Sequence, residues 1–178
     1  MSIASTPDPV AEGAAYRAHL IGLVGEDDPA GVQASTPRAL REAVAGAGQE
    51  VARPPEPGEW SVLQLVGHFA DAELVTSARY RWILAHDEPE LAGYDQDLWV
   101  ERLGHGQQDP RELLVLFDAL RAANLSLWAR TGRAERARRG IHAERGPETL
   151  EEVFRMVAGH DRFHLAQIDR TLEALRPG

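Results

Sequence analysis

The chain contains no cysteine and no lysine, and each absence excludes a class of chemistry. Without cysteine, the protein has no disulfides, no cysteine-based metal site and no thiol nucleophile of its own. Without lysine, a P-loop, a Schiff-base enzyme and a lysine general base are excluded, because each of them needs an ammonium group. All 19 basic residues are therefore arginines.

Positive charge is scarce relative to negative charge. The 19 arginines face 28 acidic residues, for a formal net charge of −9, which argues against nucleic acid as a partner. The basic cluster from Arg130 to Arg139 is expected to be a solvated loop, because Glu135 dilutes it. A long apolar run and a charged-then-apolar leader are also missing from the sequence, so we expect a cytoplasmic protein without a membrane partner.

Aromatic residues make up only 6% of the chain, so Ala, Leu and Val carry most of its 43% hydrophobic content. That composition favours helices over sheets. No segment alternates between apolar and polar residues for more than a few positions, as a half-buried strand would. At 178 residues, the sequence predicts one all-α domain over residues 1–178, with residues 1–9 loosely attached.

Three long helices are predicted by their start signals. Ser61 and Thr149 are each followed three residues later by Gln or Glu, the spacing of a capping box, and Asp109 precedes a proline and a glutamate. The apolar periodicity extends these helices over residues 61–85, 109–127 and 149–175. Two shorter helices are expected before them. One spans Val10–Val24, and the other begins at Thr36, with Pro37 in its first position.

The segment between Ala85 and Asp109 has no clear period over roughly 20 residues, whereas joins in helical bundles usually run about 2–8 residues. We therefore expect a crossover that leaves the two flanking helices parallel, in preference to a further helix hidden there. Tyr94 and Trp99 would let this crossover pack across one end of the bundle like a lid.

The last predicted helix carries a candidate metal site. His160 and His164 are four residues apart, so both rings project from one helix face and can reach one ion. Both fall into the apolar series that begins at Val153 and ends at Leu172, so they are expected to point inward. Asp161, and not a glutamate, follows the first histidine, so a zinc protease is not favoured, and this carboxylate is expected to orient a ring or pair with a nearby arginine, Arg155 or Arg162.

A third ligand could come from His68, which lies on or beside the inward face of the long helix that begins at Ser61. Three protein ligands would leave a position for water or substrate, as in catalytic sites. The alternative is that each histidine is a core residue satisfied by an ordinary hydrogen bond. Asp71 is either a hydrogen-bond acceptor for a ring N–H or a solvated carboxylate. His105 and His142 fall in predicted loops and are expected at the surface.

Several short motifs, taken together and in order, resemble the DinB/YfiT-like superfamily. The similarity runs from about Thr36 to Leu172, most of the chain. The motifs are Glu59-Trp60-Ser61-Val62, Gly67-His68-Phe69-Ala70-Asp71-Ala72-Glu73, Tyr94-Asp95-Gln96-Asp97-Leu98-Trp99, Gly146 through Leu150, His160-Asp161, and His164-Leu165-Ala166-Gln167-Ile168. The resemblance implies a four-helix bundle of up-down-down-up topology and a divalent metal, zinc or nickel first, held by His68, His160 and His164.

The family includes thiol-dependent transferases and isomerases and a branch described as metal-dependent hydrolases. The resemblance therefore implies a metal-dependent transferase or hydrolase that acts on a small electrophile and is a homodimer. Because the chain has no cysteine, any thiol must come from a low-molecular-weight cosubstrate, and the nucleophile would be that thiol or a water on the metal. The alternative is a non-catalytic metal-binding or stress-associated homodimeric interaction module.

Overall fold

The structure is a computed structural model that describes residues 7–8 and 11–176. The helices in that part are α1 (Gly13–Val24), α2 (Pro29–Ala47), α3 (Val62–Ala85), α4 (Gln96–Arg102), α5 (Pro110–Ala129), α6 (Arg133–Arg136) and α7 (Leu150–Ala174). The strands are β1 (Glu90–Leu91), β2 (Arg139–His142) and β3 (Gly146–Thr149), and two 3₁₀ turns span Gly48–Glu50 and His105–Gln107. The expected helix start at Val10 lies outside the described residues, and so does most of the segment 1–9, which was expected to be loosely attached.

The four helices α2, α3, α5 and α7 form the bundle. α3 and α5 run parallel, as the contacts Phe69–Phe117 and Ser77–Asn124 show. α7 runs antiparallel to α3, as the contacts His68–His164 and Tyr80–Phe154 show. α7 runs parallel to α2, as the contacts Gln33–Phe154 and Thr36–Asp161 show. This is the expected up-down-down-up order, and the expected crossover joins the second and third of these helices.

The starts of the long helices follow the signals in the sequence. Ser61 and Gln64 form a reciprocal capping box at α3, and Thr149 and Glu152 form another at α7. The Asp109 carboxylate caps α5 by accepting from the N–H of Arg111 at 2.8 Å. None of the helices in the described part of the chain is long and apolar enough to cross a membrane.

The predicted start of α2 is wrong. This helix begins at Pro29, where Asp28 accepts from two backbone N–H groups, the same Asp–Pro signal that opens α5. Pro37 lies inside the helix and has no N–H to offer the carbonyl of Gln33. The Arg121 guanidinium fills that role from α5, donating to the Gln33 oxygen at 3.0 Å.

A small sheet accompanies the bundle and was not predicted. β1 pairs with β2 in parallel, and β2 pairs with β3 in antiparallel fashion. Strands of two to four residues are too short to show an alternating pattern. The pairing of β1 with β2 fastens the start of the crossover to the segment that precedes α7.

Two apolar clusters fill the bundle, with polar side chains buried between them. One cluster includes Leu40, Leu65 and Phe117, and the other includes Ile83 and Phe154. The buried residues between them, here named the central polar layer, are Gln33, Thr36, Glu73, Arg121, Asn124 and Asp161. This layer crosses the bundle at the level of the histidines on α3 and α7.

The crossover packs closely on α3 at Gly67. A Cβ atom at this position would lie 2.4 Å from the His105 ring, so only glycine allows the approach. The crossover also contains α4 and a 3₁₀ turn, so it is more structured than the sequence predicted. Tyr94 and Trp99 pack against each other, with their ring centroids 4.7 Å apart.

Candidate metal centre

Three imidazole rings from two helices converge in the bundle. The Nε2 atom of His68 lies 2.9 Å from Nε2 of His160 and 3.2 Å from Nε2 of His164. The three rings present ligand atoms that all lie within 4.8 Å of one another. His68 is only 1% exposed and His164 4%, so two of the rings have almost no access to bulk water.

The distances between these nitrogens fit a shared ion. Two nitrogens bound at about 2.1 Å to one ion, with an angle of roughly 90–110° between the bonds, lie roughly 3.0–3.4 Å apart. The contacts made by His68 fall close to this interval. A hydrogen-bonded cluster explains them less well, because an N–H on His68 Nε2 can be directed at only one of the two neighbouring nitrogens.

The rings are neutral, which leaves lone pairs for a metal. Burial lowers the pKa of His68 well below its usual range, and His164 and His105 lower it further. Burial also lowers the pKa of His160 well below its usual range, with added effects from His164, His68 and Arg121. Burial lowers the pKa of His164 to about 4.

Gln167 orients one of the three rings. The Nδ1–H of His164 donates to Oε1 of Gln167 at 2.9 Å, so the Nε2 atom keeps its lone pair on the side of the cluster. Trp60 stacks on the His164 ring, with centroids 6.4 Å apart, and packs on His68 at 5.1 Å. The cluster therefore has an apolar wall that limits access of water. Nδ1 of His68 is buried and has no hydrogen-bond partner among the described residues.

The central polar layer adjoins the histidines on α7, where Asp161 follows His160. Arg121, 1% exposed, binds Asp161 through two hydrogen bonds of 2.5 and 3.0 Å and Glu73 through one of 2.8 Å. Burial lowers the pKa of Arg121, but the two carboxylates outweigh burial and raise it above its ordinary value. Asn124 donates to the Glu73 oxygen that Arg121 leaves free, and Thr36 donates to Oδ2 of Asp161, which also accepts from Arg121. All four carboxylate oxygens therefore accept a hydrogen bond within the layer.

Sequence reasoning missed Arg121 and Glu73 and assigned Asp161 to the wrong partner. Asp161 pairs with Arg121 on α5, whereas Arg155 and Arg162 bind backbone carbonyls of the segment around α1. Apolar residues alone do not mark the inward face of α5, since Leu116 is 42% exposed. The buried positions of α5 are Leu113, Leu114, Phe117, Arg121, Asn124 and Trp128. A strictly helical spacing from Phe117 would have placed Arg121 inside.

Two histidines expected at the surface are buried. The Nε2–H of His105 donates to Oδ2 of Asp71 at 2.6 Å. Asp71 is therefore neither solvated nor paired with one of the three converging rings. Burial raises the pKa of Asp71, and His105 opposes that effect. His142 lies on β2, and Arg79 contacts its Nε2 atom at 3.2 Å.

Several arginines that follow α5 form contacts with neighbouring parts of the chain. Arg138 donates to the carbonyl oxygens of Ile83 and His86 at the end of α3, and Arg136 stacks on the Trp128 ring. Arg139 pairs with Glu88. Because α6 and the start of β2 lie in this segment, the expectation of a solvated loop was wrong.

Cavities adjoin the histidines from two directions. One, of about 420 Å³, reaches His160 and continues between α3, α7 and the crossover to Arg79 and Tyr94. Another, of about 580 Å³, reaches His164 and is walled by Trp60 and Phe163. A small molecule could therefore approach the nitrogen cluster from the side of either α7 histidine.

Comparisons with known proteins agree with the helical bundle. The sequence model of the DinB superfamily matches residues 34–168. The chain is 29% identical to the "Putative metal-dependent hydrolase YfiT" of Bacillus subtilis, over 62% of this chain and 63% of that protein. It therefore spans less than two thirds of that relative's length. A "Putative metal-dependent hydrolase" of Geobacillus thermodenitrificans is 28% identical over 74% of this chain and 75% of its own.

A solved structure of YfiT from Bacillus subtilis, described as "a probable metal-dependent hydrolase with an unusual four-helix bundle topology", has a similar fold. The TM-score is 0.75 at 25% sequence identity, and the match covers 80% of this chain and 83% of that one.

Proposed function

Since this chain belongs to the DinB superfamily, we propose that it is a metal-dependent enzyme in which His68, His160 and His164 hold a divalent ion. The observation that carries the proposal is the convergence of three neutral Nε2 atoms from α3 and α7. Three protein ligands leave at least one coordination position for water or substrate, as catalytic sites require. Imidazole ligands suit zinc and nickel among other metals, and these two are our first candidates.

The residues around the cluster suit this role. Gln167 fixes the ring of His164 so that its lone pair faces the other two rings. A divalent ion bound there would lower the pKa of a coordinated water or thiol and so provide a nucleophile at neutral pH.

We further propose that the reaction is hydrolysis of, or thiol transfer to, a small electrophile. The relatives described as metal-dependent hydrolases support hydrolysis, and the family resemblance supports transfer from a low-molecular-weight thiol. A cavity of about 420 Å³ suits a small molecule rather than a polymer. The same resemblance supports a cytoplasmic homodimer with one domain per chain. Light scattering on the purified protein would test the dimer.

Metal content tests the site. His160→Ala and His164→Ala should each lose most of the bound metal in elemental analysis, because each removes a ligand from a three-ligand site. The matched control is His86→Ala, which removes an exposed histidine away from the cluster. Full metal content in both cluster variants would contradict the assignment.

Turnover separates catalysis from the alternative, a non-catalytic or stress-associated module. An enzyme should convert activated esters or electrophiles with an added thiol, and His68→Ala should abolish that activity. A module would lose thermal stability when the metal is removed and would convert none of these substrates in either form.

A further inference from the structure

The cavity beside His160 has a second end that the proposed metal site does not use. Along α3 it is lined by Phe69, Ala72, Thr76 and Arg79, which share one helix face. The Cα atoms of Phe69 and Arg79 lie roughly 15 Å apart along the axis, because each helical residue rises ~1.5 Å. Arg79 therefore lies at the far end of the cavity from the histidines.

Arg79 is a buried cation without an anionic partner in the described part of the chain. It is 6% exposed and forms no ion pair with a described carboxylate, although Glu148 and Glu144 are close enough to raise its pKa against the effect of burial. Its Nη2 atom donates to the carbonyl oxygen of Ala92 at 2.5 Å and contacts Nε2 of His142 at 3.2 Å. Its Nε atom is buried and makes no hydrogen bond to any described residue.

Other arginines along this cavity are paired, which makes Arg79 different. Arg145 binds Glu148 with two hydrogen bonds of 2.6 and 3.0 Å, and Arg121 is held by the two carboxylates of the central polar layer. A buried charge without a counter-ion is costly. Burial lowers the pKa of Arg79 to about 10, so the guanidinium is still charged at neutral pH.

The groups around Arg79 are mostly hydrogen-bond donors. The phenols of Tyr94 and Tyr16 line the same cavity, and burial raises the pKa of both, so they stay protonated. The hydroxyl of Thr76 lines it as well. The acidic residues of the lining are either exposed to solvent, as are Asp8, Asp95, Asp97 and Glu144, or bound to Arg121, as are Glu73 and Asp161. A cavity with a positive charge at its inner end and carboxylates at its entrance favours binding of a singly charged anion over a multiply charged one.

We propose that Arg79, assisted by the hydroxyls of Tyr94 and Thr76, binds the carboxylate of a small organic acid at the end of the cavity remote from His160. The substrate of the proposed enzyme is then a carboxylate-bearing electrophile whose reactive group faces the histidines. This assignment of the reactive end rests on the proposed function. Carboxylate binding at Arg79 does not, since it needs no metal.

Binding of a matched pair of probes, pentanoate and pentanamide, to the metal-loaded full chain tests the proposal. The two have similar shapes and differ in charge. Calorimetry should show that Arg79→Met weakens pentanoate binding about 10- to 100-fold, the usual effect of removing a charged hydrogen-bond partner. Pentanamide binding should change less than about 2-fold. The control Arg111→Met removes the same charge from an exposed position on α5 and should change neither.

Equal affinity of pentanoate for Arg79→Met and the wild type would overturn the proposal and leave Arg79 as a support for Ala92 and His142. A wild type that prefers pentanamide, or that binds inorganic phosphate more tightly than pentanoate, would also overturn it. If Arg79→Met does not fold, Tyr94→Phe and Thr76→Val keep the guanidinium and should each weaken only pentanoate.

The His160→Ala protein separates this proposal from the proposed function. The effect of Arg79→Met on pentanoate binding should persist in that background, because the contact is remote from the metal ligands. If the effect disappears there, pentanoate binds through the metal and the Arg79 site is refuted. Loss of turnover or of metal in His160→Ala tests only the proposed enzyme.

Discussion

Removing the Arg121 side chain should destabilise this protein strongly. In Arg121→Met, Asp161 loses two hydrogen bonds and Glu73 loses one, and both carboxylates are at most 2% exposed. Breaking a buried ion pair by removing one partner costs about 3–5 kcal/mol. Asn124 and Thr36 still donate to the two carboxylates, so we expect about 4 kcal/mol at neutral pH instead of twice the single-pair value.

Urea unfolding of the metal-free protein, followed by circular dichroism, measures this loss. The matched control is Arg41→Met, because Arg41 pairs with Asp118 at 2.5 Å but is half exposed. Exposed pairs contribute about 0–1 kcal/mol. A triple variant, Arg121→Met with Glu73→Gln and Asp161→Asn, removes the stranded charges and should recover most of the stability.

The loss should also depend on pH. In the folded variant two adjacent buried carboxylates lack a cation, so binding a proton relieves the cost of their charge more in the folded state than in the unfolded state. Lower pH therefore reduces the penalty, and Arg121→Met should be closer to the wild type at pH 5 than at pH 7.5. A loss under about 1 kcal/mol at pH 7.5, equal to that of Arg41→Met, would refute the reasoning.

Three further predictions concern the histidines. Gln167→Ala removes the acceptor of the His164 ring and should weaken metal affinity about 10- to 100-fold in chelator competition, whereas Gln167→Glu should retain it. Because the pKa of His164 is about 4 when folded and near 6.5 when unfolded, this ring alone should cost the metal-free protein roughly 3 kcal/mol as pH falls from 6.5 to 4, in addition to the losses from His68 and His160, and His164→Gln should make the slope shallower. Gly67→Ala would force a Cβ against the His105 ring and should cost about 1–3 kcal/mol in urea unfolding, whereas Gly22→Ala, with open space at its Cβ, should not destabilise.

The bundle was predictable because its signals are local. The residues that start each long helix sit within four positions of one another, and Ser61 with Gln64 and Thr149 with Glu152 make the bonds that their spacing predicts. The inward register of the α7 histidines follows from helical periodicity alone. The length of the segment between α3 and α5 was enough to predict that these two helices are parallel.

The central polar layer was not predictable because its partners are distant in sequence. Arg121 and Asp161 are 40 residues apart, and Thr36 and Asp161 are 125 apart. Charged residues usually indicate an exposed face, so the inward position of Arg121 is visible only once its partners are known. The burial of His105 was not predicted for a similar reason, because nothing near this histidine in the sequence identifies Asp71 as its partner.

Pro37 has a consequence for how the helices find their alignment. A proline in mid-helix removes one amide proton and so leaves one carbonyl, that of Gln33, without its helical donor. The guanidinium of Arg121 is the donor that reaches it, at a single height on the neighbouring helix. If α5 shifted by one turn along α2, the Gln33 carbonyl and the Arg121 guanidinium would both be buried without this hydrogen bond. The missing amide proton in α2 therefore favours one axial position of α5 relative to α2 over positions shifted by a turn.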